Sequence, residues 1–187
     1  MQNGAIRVIV PLLETERLVL RGHRPEDFPN SAAMWADPKV TQHILGQPLS
    51  EEDAYTRFLR YIGHWAIAGF GYWLIEEKQT GKFIGEAGFA DYRRAIEPSL
   101  KGLPEIGWVL ASEAHGKGYA TEAVRKLTAW GDARLRTRTM CIIAPQNTAS
   151  VRVAVKCGYR ELPSTTYHGR PTLMFAREPG GWQQAAK

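Results

Sequence analysis

The residues best suited to chemistry lie in one run, from Pro104 to Arg134. It begins Glu105-Ile106-Gly107-Trp108-Val109-Leu110, a strand-like hexapeptide with a carboxylate at its mouth. A small, polar bend follows from Ser112 to Gly118, with glycines at 116 and 118. From Tyr119 the apolar residues recur at helical spacing, as Ala120, Ala123, Val124, Leu127 and Trp130. A strand that feeds a glycine bend and then a helix leaves backbone N–H groups unpaired at the positive end of the helix dipole. That is an anion site, most often for phosphate or pyrophosphate. Glycine is needed there because the backbone must approach the anion closely and adopt positive φ. A plain helix entry with no ligand would share part of this pattern.

Two other phosphate motifs do not fit. A Walker loop needs Gly-Lys followed directly by Ser or Thr, and Lys117 is followed by Gly118. In a dinucleotide fingerprint a third glycine would stand where this chain has Thr121, with an acidic residue further on; here Arg134, Arg136 and Arg138 lie downstream. Asn147 and Ser150 open a later helix, where both residue types are common caps. His23, His43, His64, His115 and His168 show no pairing one helical turn apart, and Cys141 and Cys157 form no paired-thiol motif. No metal is expected, and both thiols read as buried and inert.

The elements that must position these residues follow from the rest of the chain. Arg17–Arg21 alternates as a first strand. A helix opens at Arg24-Pro25 and stops before Asp37-Pro38. Ser50, with Asp53 three places on, caps a second helix whose Ala54, Phe58, Tyr61, Ile62 and Trp65 share a face, and Gly69 ends it. Trp35, Tyr55, Tyr61 and Trp65 read mostly as core, with one or two of them lining a pocket. Tyr72–Glu76 and Lys82–Phe89 form a hairpin about Thr80-Gly81, and Tyr92–Gly102 is an exposed loop. After the central run come a strand at Thr139–Ala144, a helix from Ala149 to Cys157 ended by Gly158, and a closing hairpin of Tyr159–Leu162 and Thr172–Arg177 around His168-Gly169. Such an order gives a mixed sheet with helices on its faces.

Length and composition agree. The chain has 187 residues, 44% apolar and 23% charged, as expected of one globular domain with a core over about residues 12–177 and a frayed tail from 180. It lacks the run of roughly 18 apolar residues that crosses a bilayer. The apolar patch Val8–Leu13 is short for a signal peptide and reads as a strand or arm. A cytoplasmic setting and no membrane partner are expected. The net charge of +5 comes from scattered residues, which argues against nucleic acid as the main partner.

Four places, taken in order, resemble the GCN5-related N-acetyltransferase (GNAT) superfamily, and within it the ribosomal-protein alanine N-acetyltransferase-like branch. They are Glu14–Arg21, Gly81–Gly88, His115-Gly116-Lys117-Gly118-Tyr119-Ala120-Thr121, and Asn147–Ser150 followed by Val155–Tyr159. The resemblance implies an α/β acyl-CoA N-acyltransferase fold, with a strongly twisted mixed sheet splayed at the cofactor and helices on both faces. It implies acetyl-CoA as donor and a primary amine as acceptor, either a protein N-terminus or a small molecule, with direct attack in a ternary complex. It leaves room for a homodimer and for a non-catalytic acyl-CoA-binding module.

Site residues follow by the same resemblance. The pyrophosphate would rest on backbone N–H groups from Gly116 to Thr121, with His115 in a place where relatives carry other residues. Trp108, Val109 and Leu110 would flank the pantetheine, with a backbone N–H near Trp108 or Val109, where the family strand bulges, as oxyanion donor. Asn147 would contact the pantetheine arm and Ser150 the thiol. Glu105 is the candidate base, acting through water. Many relatives protonate the leaving thiolate with a tyrosine, and the matching position here is Ala154.

Overall fold

A computed structural model describes residues 9–181. The expected tail therefore lies mostly outside the described residues, as does Val8. The strands are β1 (Leu13–Glu14), β2 (Leu18–Arg21), β3 (Tyr72–Glu77), β4 (Phe83–Ala90), β5 (Glu105–Leu110), β6 (Thr139–Ile143), β7 (Arg160–Tyr167) and β8 (Arg170–Arg177). The helices are α1 (Phe28–Ala36), α2 (Pro38–Thr41), α3 (Glu51–Ala68), α4 (Tyr119–Arg134) and α5 (Thr148–Lys156). The strand or arm expected at Val8–Leu13 gives, among the described residues, the short edge strand Leu13–Glu14. One feature exceeds the sequence reading: Asp37-Pro38, read there as a stop, also starts a helix because the Asp37 side chain accepts from Lys39 N–H. The first turn, Pro25–Asp27, is 3₁₀ before α1 begins.

The helix ends have identifiable causes. Ser50 Oγ accepts from Asp53 N–H at 3.1 Å to start α3, and Gly69 in the left-handed region ends it. Gly158, also left-handed, stops α5.

All eight strands join one sheet in the order β1-β2-β3-β4-β5-β6-β8-β7. Every pairing is antiparallel except β5 with β6. Helices cover both faces. On one side Ile106 and Leu110 of β5 pack with Ala123, Val124 and Leu127 of α4 and with Ala154 of α5. On the other, Val109 and Ala111 meet Met34 and Trp35 of α1 and Ala54 of α3. This is period-2 alternation in a strand buried on both faces.

The β5–β6 junction positions the site. The β4–β5 ladder runs unbroken from Gly85↔Leu110 to Ala90↔Glu105. By contrast β5 and β6 share only the pair Glu105↔Met140, with Met140 N–H donating to Pro104 O at 3.0 Å. Beyond Glu105 the two strands part. The bulge expected near Trp108 and Val109 is absent, and the irregularity lies instead between β3 and β4 at Ile75/Glu76. Gly85 permits the unbroken ladder, since a Cβ there would come within 2.2 Å of Val109 O.

Candidate cofactor and acceptor cleft

The parted strands open a cleft of about 780 Å³. Trp108 and Val109 line it from β5, Ile142 and Ile143 from β6, and Asn147 and Ser150 from the start of α5. Glu105 lines it at the closed end of the splay.

Strand geometry decides which backbone donors face this space. Successive residues aim their N–H and C=O groups to opposite sides. Pro104 O accepts from β6, while Ala111 N–H donates to Ile84 O in β4. The N–H groups of Ile106, Trp108 and Leu110 therefore point towards β6, and those of Gly107 and Val109 towards β4. Trp108 N–H lies past the last β5–β6 pair and faces the splay. Val109 is spent on the ladder with Glu86.

The predicted anion loop follows the free end of β5. Gly116 and Gly118 adopt φ of +75° and +82°. Nothing lies within 4 Å of where a Gly116 Cβ would stand, so the backbone is approachable. The first intrahelical bond of α4 is Glu122 N–H to Gly118 O, which leaves the N–H groups of Tyr119, Ala120 and Thr121 without helical acceptors. Side chains strap the loop in place. The His115 ring Nε2 bonds Leu110 O at 2.9 Å, and Arg17 donates to Lys117 O at 3.0 Å. Glu122 accepts from Thr15 Oγ1 at 2.6 Å and from the Arg17 side chain at 2.7 Å. Burial alone would push the Glu122 carboxyl up, but the Thr15 and Arg17 donors outweigh it and hold it below the ordinary value. Tyr119 enters the site only through its backbone. Its ring is buried beneath Arg17, and its hydroxyl donates to Glu77.

On α5, Asn147 Oδ1 accepts from Ser150 N–H at 3.1 Å, so this asparagine is a helix cap as well as a cleft residue. Ala154 is fully buried in the core.

Glu105 differs from a solvated strand end. It is only 5% exposed, and it receives two bonds from Arg94, Nε to Oε2 at 2.6 Å and an Nη to Oε1 at 2.7 Å. Burial pushes its carboxyl up, and Arg94 opposes this without cancelling it. The Arg94 guanidinium also lies 4.5 Å from the Tyr92 ring and donates to Tyr167 Oη at 3.3 Å. Arg94 was missed by sequence reasoning because its loop looked only polar and exposed.

The arginines of the opposite wall were missed as well. Arg57 and Arg60 of α3 line the cleft, as do Arg170 and the exposed His168 of the β7–β8 turn. Arg57 and Arg60 stand three apart on an amphipathic helix, the one signal that could have marked them as neighbours. Trp35 and Tyr61 are buried and line the cleft as well, and Trp65 is core. Tyr55 is not core. It is 49% exposed and packs edge-on against Phe28, because it sits one position off the buried face of α3. Cys141 and Cys157 are buried free thiols whose burial raises their pKa.

Residues 17–160 match the family described as Acetyltransferase (GNAT) domain. The uncharacterized N-acetyltransferase p20 of Bacillus licheniformis is 32% identical over 143 residues, covering 75% of this chain and 78% of that protein. A protein from Bordetella pertussis described as a GnaT-family acetyltransferase superposes with a TM-score of 0.78 at 30% identity, covering 90% of this chain and 99% of that one. At 16% identity the fold recurs in spermidine N-acetyltransferase from Vibrio cholerae, solved with CoA and spermine, with a TM-score of 0.70 and coverage of 90% and 99%. A shared fold, a shared sequence and a parallel pair of strands splayed ahead of a glycine-opened helix all agree: the chain belongs to the GNAT acetyltransferase family.

Proposed function

We propose that this chain is a single acetyltransferase unit that moves an acetyl group from acetyl-CoA to a primary amine by direct attack in a ternary complex. The observation that carries this reading is the splay of β5 from β6, which leaves Trp108 N–H unspent on the cleft, with the glycine-opened Gly116–Thr121 turn following the free end of β5. Acetyl-CoA supplies the activated thioester. The loop N–H groups from Gly116 to Thr121 hold the pyrophosphate, and the positive-φ glycines with open space beside Gly116 fit that load. Asn147 and the edge of β5 from Trp108 to Leu110 hold the pantetheine. Trp108 N–H is the donor available to the thioester carbonyl oxygen.

An amine must lose its proton before it attacks. An α-amine titrates at about 8 and a lysine amine at about 10.4. Glu105 takes this proton through water. Its raised carboxyl makes it a stronger base than an exposed glutamate, and Arg94 fixes its orientation while leaving each oxygen a second lone pair. The departing thiolate needs little acid, because a thiol of cysteine type titrates at about 8.5. Ser150 steadies it by hydrogen bonding, and Ala154 offers no proton.

One observation favours a second reading, an acyl-CoA-binding module without turnover: among the described residues Glu105 is the one carboxylate lining the cleft, and it is already paired with Arg94. Calorimetric titration with acetyl-CoA and steady-state release of CoA thiol over a panel of amines separate the two. Turnover on any amine selects the enzyme. Binding with none selects the module, and no binding removes both.

A further inference from the structure

The cleft is strongly asymmetric in charge. Among the described residues four arginines line it, Arg57, Arg60, Arg94 and Arg170, against the single carboxylate of Glu105. Arg94 is spent on Glu105. Among the described residues the other three have no carboxylate partner. Arg170 reaches only a backbone oxygen, Leu45 O at 3.2 Å.

Arg57 is the telling member. It is partly buried, with its guanidinium 4.2 Å from the centre of the Trp35 ring, and its Nε is buried without a hydrogen-bond partner. Glu86, which accepts from the Trp35 indole, does not pair with it: that carboxylate is fully buried, taken by Ser31 Oγ and Trp35 Nε1, and approached by His23 Nε2 at 3.3 Å. Removing a cation from water without a counter-charge is costly, and such a group is completed by an anion from outside. A planar guanidinium suits carboxylate or phosphate, which it can grip with two bonds.

The aromatic residues of the wall do not offer a cation site in its place. Tyr61 and Tyr72 are stacked on each other at 4.2 Å. Tyr92 already has Arg60 at 5.1 Å and Arg94 at 4.5 Å from its ring. Arg94 also stands 5.2 Å from the Tyr167 ring. The tyrosine rings that would otherwise attract a polycation are thus taken by each other or by arginine.

Taking the acetyltransferase reading above as its basis, we infer that the acceptor amine is itself anionic: a primary amine that carries a carboxylate or phosphate, gripped by Arg57 with help from Arg60 and Arg170. The wall then acts twice. It positions the acceptor through its oxyanion, and its positive field favours the neutral, nucleophilic form of the amine over the ammonium. The second effect lightens the work left to Glu105.

The test uses the full chain, acetyl-CoA and matched acceptor pairs. β-Alanine is compared with β-alanine amide, phosphoethanolamine with ethanolamine, and both with spermidine and an aminoglycoside. The anionic member of at least one pair is expected to show kcat/KM about tenfold or more above its neutral partner, and which pair does so separates carboxylate from phosphate. Added salt should narrow the gap. Arg57→Gln should erase it through KM while acetyl-CoA affinity holds, and Arg57→Lys should restore part of it. If Arg57→Gln does not fold, the exposed Arg60→Gln and Arg170→Gln carry the same comparison. Equal rates within both pairs, or fastest turnover on spermidine, overturn the anionic acceptor and leave acetyl transfer standing. Failure to bind acetyl-CoA, or binding with no turnover on any amine, overturns both.

Discussion

The two walls of the cleft are built on different principles. The wall proposed for the donor, continued past the cleft by the loop after β5, is backbone: the edge of β5, the first turn of α4 and two glycines held at positive φ. Its side chains brace from behind, as His115 does on Leu110 O and Arg17 on Lys117 O. The acceptor wall is side chain throughout, with arginines and tyrosines drawn from α3, β3, the β4–β5 loop and the β7–β8 hairpin. Backbone recognition suits a ligand that every relative shares, because main-chain groups are available whatever the side chains are. Side-chain recognition suits the partner that differs between relatives. Glu105 and Arg94 stand at the seam, paired with each other and touching both.

Breaking that seam should have the largest effect. Arg94→Met leaves the Glu105 carboxylate buried without its partner, and a loss of about 3–5 kcal/mol in folding stability is expected, read from denaturant midpoints. A loss under about 1 kcal/mol would mean that water already solvates Glu105. Next comes chemistry. Glu105→Gln should lower kcat by about a hundredfold with acetyl-CoA affinity nearly intact. Turnover that stays unchanged across pH takes Glu105 out of the mechanism. On the donor wall alone, Gly118→Val forces a β-branched residue to φ of +82°, at a cost of about 1–3 kcal/mol, and acetyl-CoA affinity should fall about ten- to a hundredfold. Normal affinity in a folded variant would move the anion site elsewhere. Ser150→Ala removes one hydrogen bond to the leaving thiolate and should slow turnover by about fivefold while α5 stays capped by Asn147.

The smallest effect is one of pH, and it is confined to the donor wall. The Glu122 carboxyl titrates below its ordinary 4.5 in the folded chain, so the unfolded chain binds the proton more readily. Its contribution to stability is complete above pH 4.5 and is lost as pH falls through the depressed folded value. Thermal melting over that acid range should slope less steeply in Glu122→Gln than in the parent. Parallel slopes would show that the Thr15 and Arg17 straps do not depend on the charge.

Legibility in the sequence tracked distance along the chain. The α3 cap at Ser50, the hairpin near Gly81 and the glycine turn before α4 all depend on contacts a few residues apart, and all were read correctly. Tyr55 was misplaced because it lies next to Ala54 in sequence but about 100° round the helix from the buried face. The β7–β8 hairpin was read too short, because polar Pro163–Thr166 hides strand residues that pair across to β8. The resemblance offered Trp108 and Val109 alike as oxyanion-donor candidates, and the hydrogen-bond parity of β5 leaves only the Trp108 N–H of the two facing the splay.

By itself the sequence determined the family, most of the order of elements and the glycine turn from His115 to Thr121, because the geometry of that turn is set by residues adjacent in the chain. The tertiary structure alone decided the rest of the site. It sealed Glu105 against Arg94 eleven places earlier, and it brought Arg57 of α3 and Arg170 of β8 to one cleft. Charges separated by more than a hundred residues act together only after the strands between them have paired, and no local pattern records that convergence.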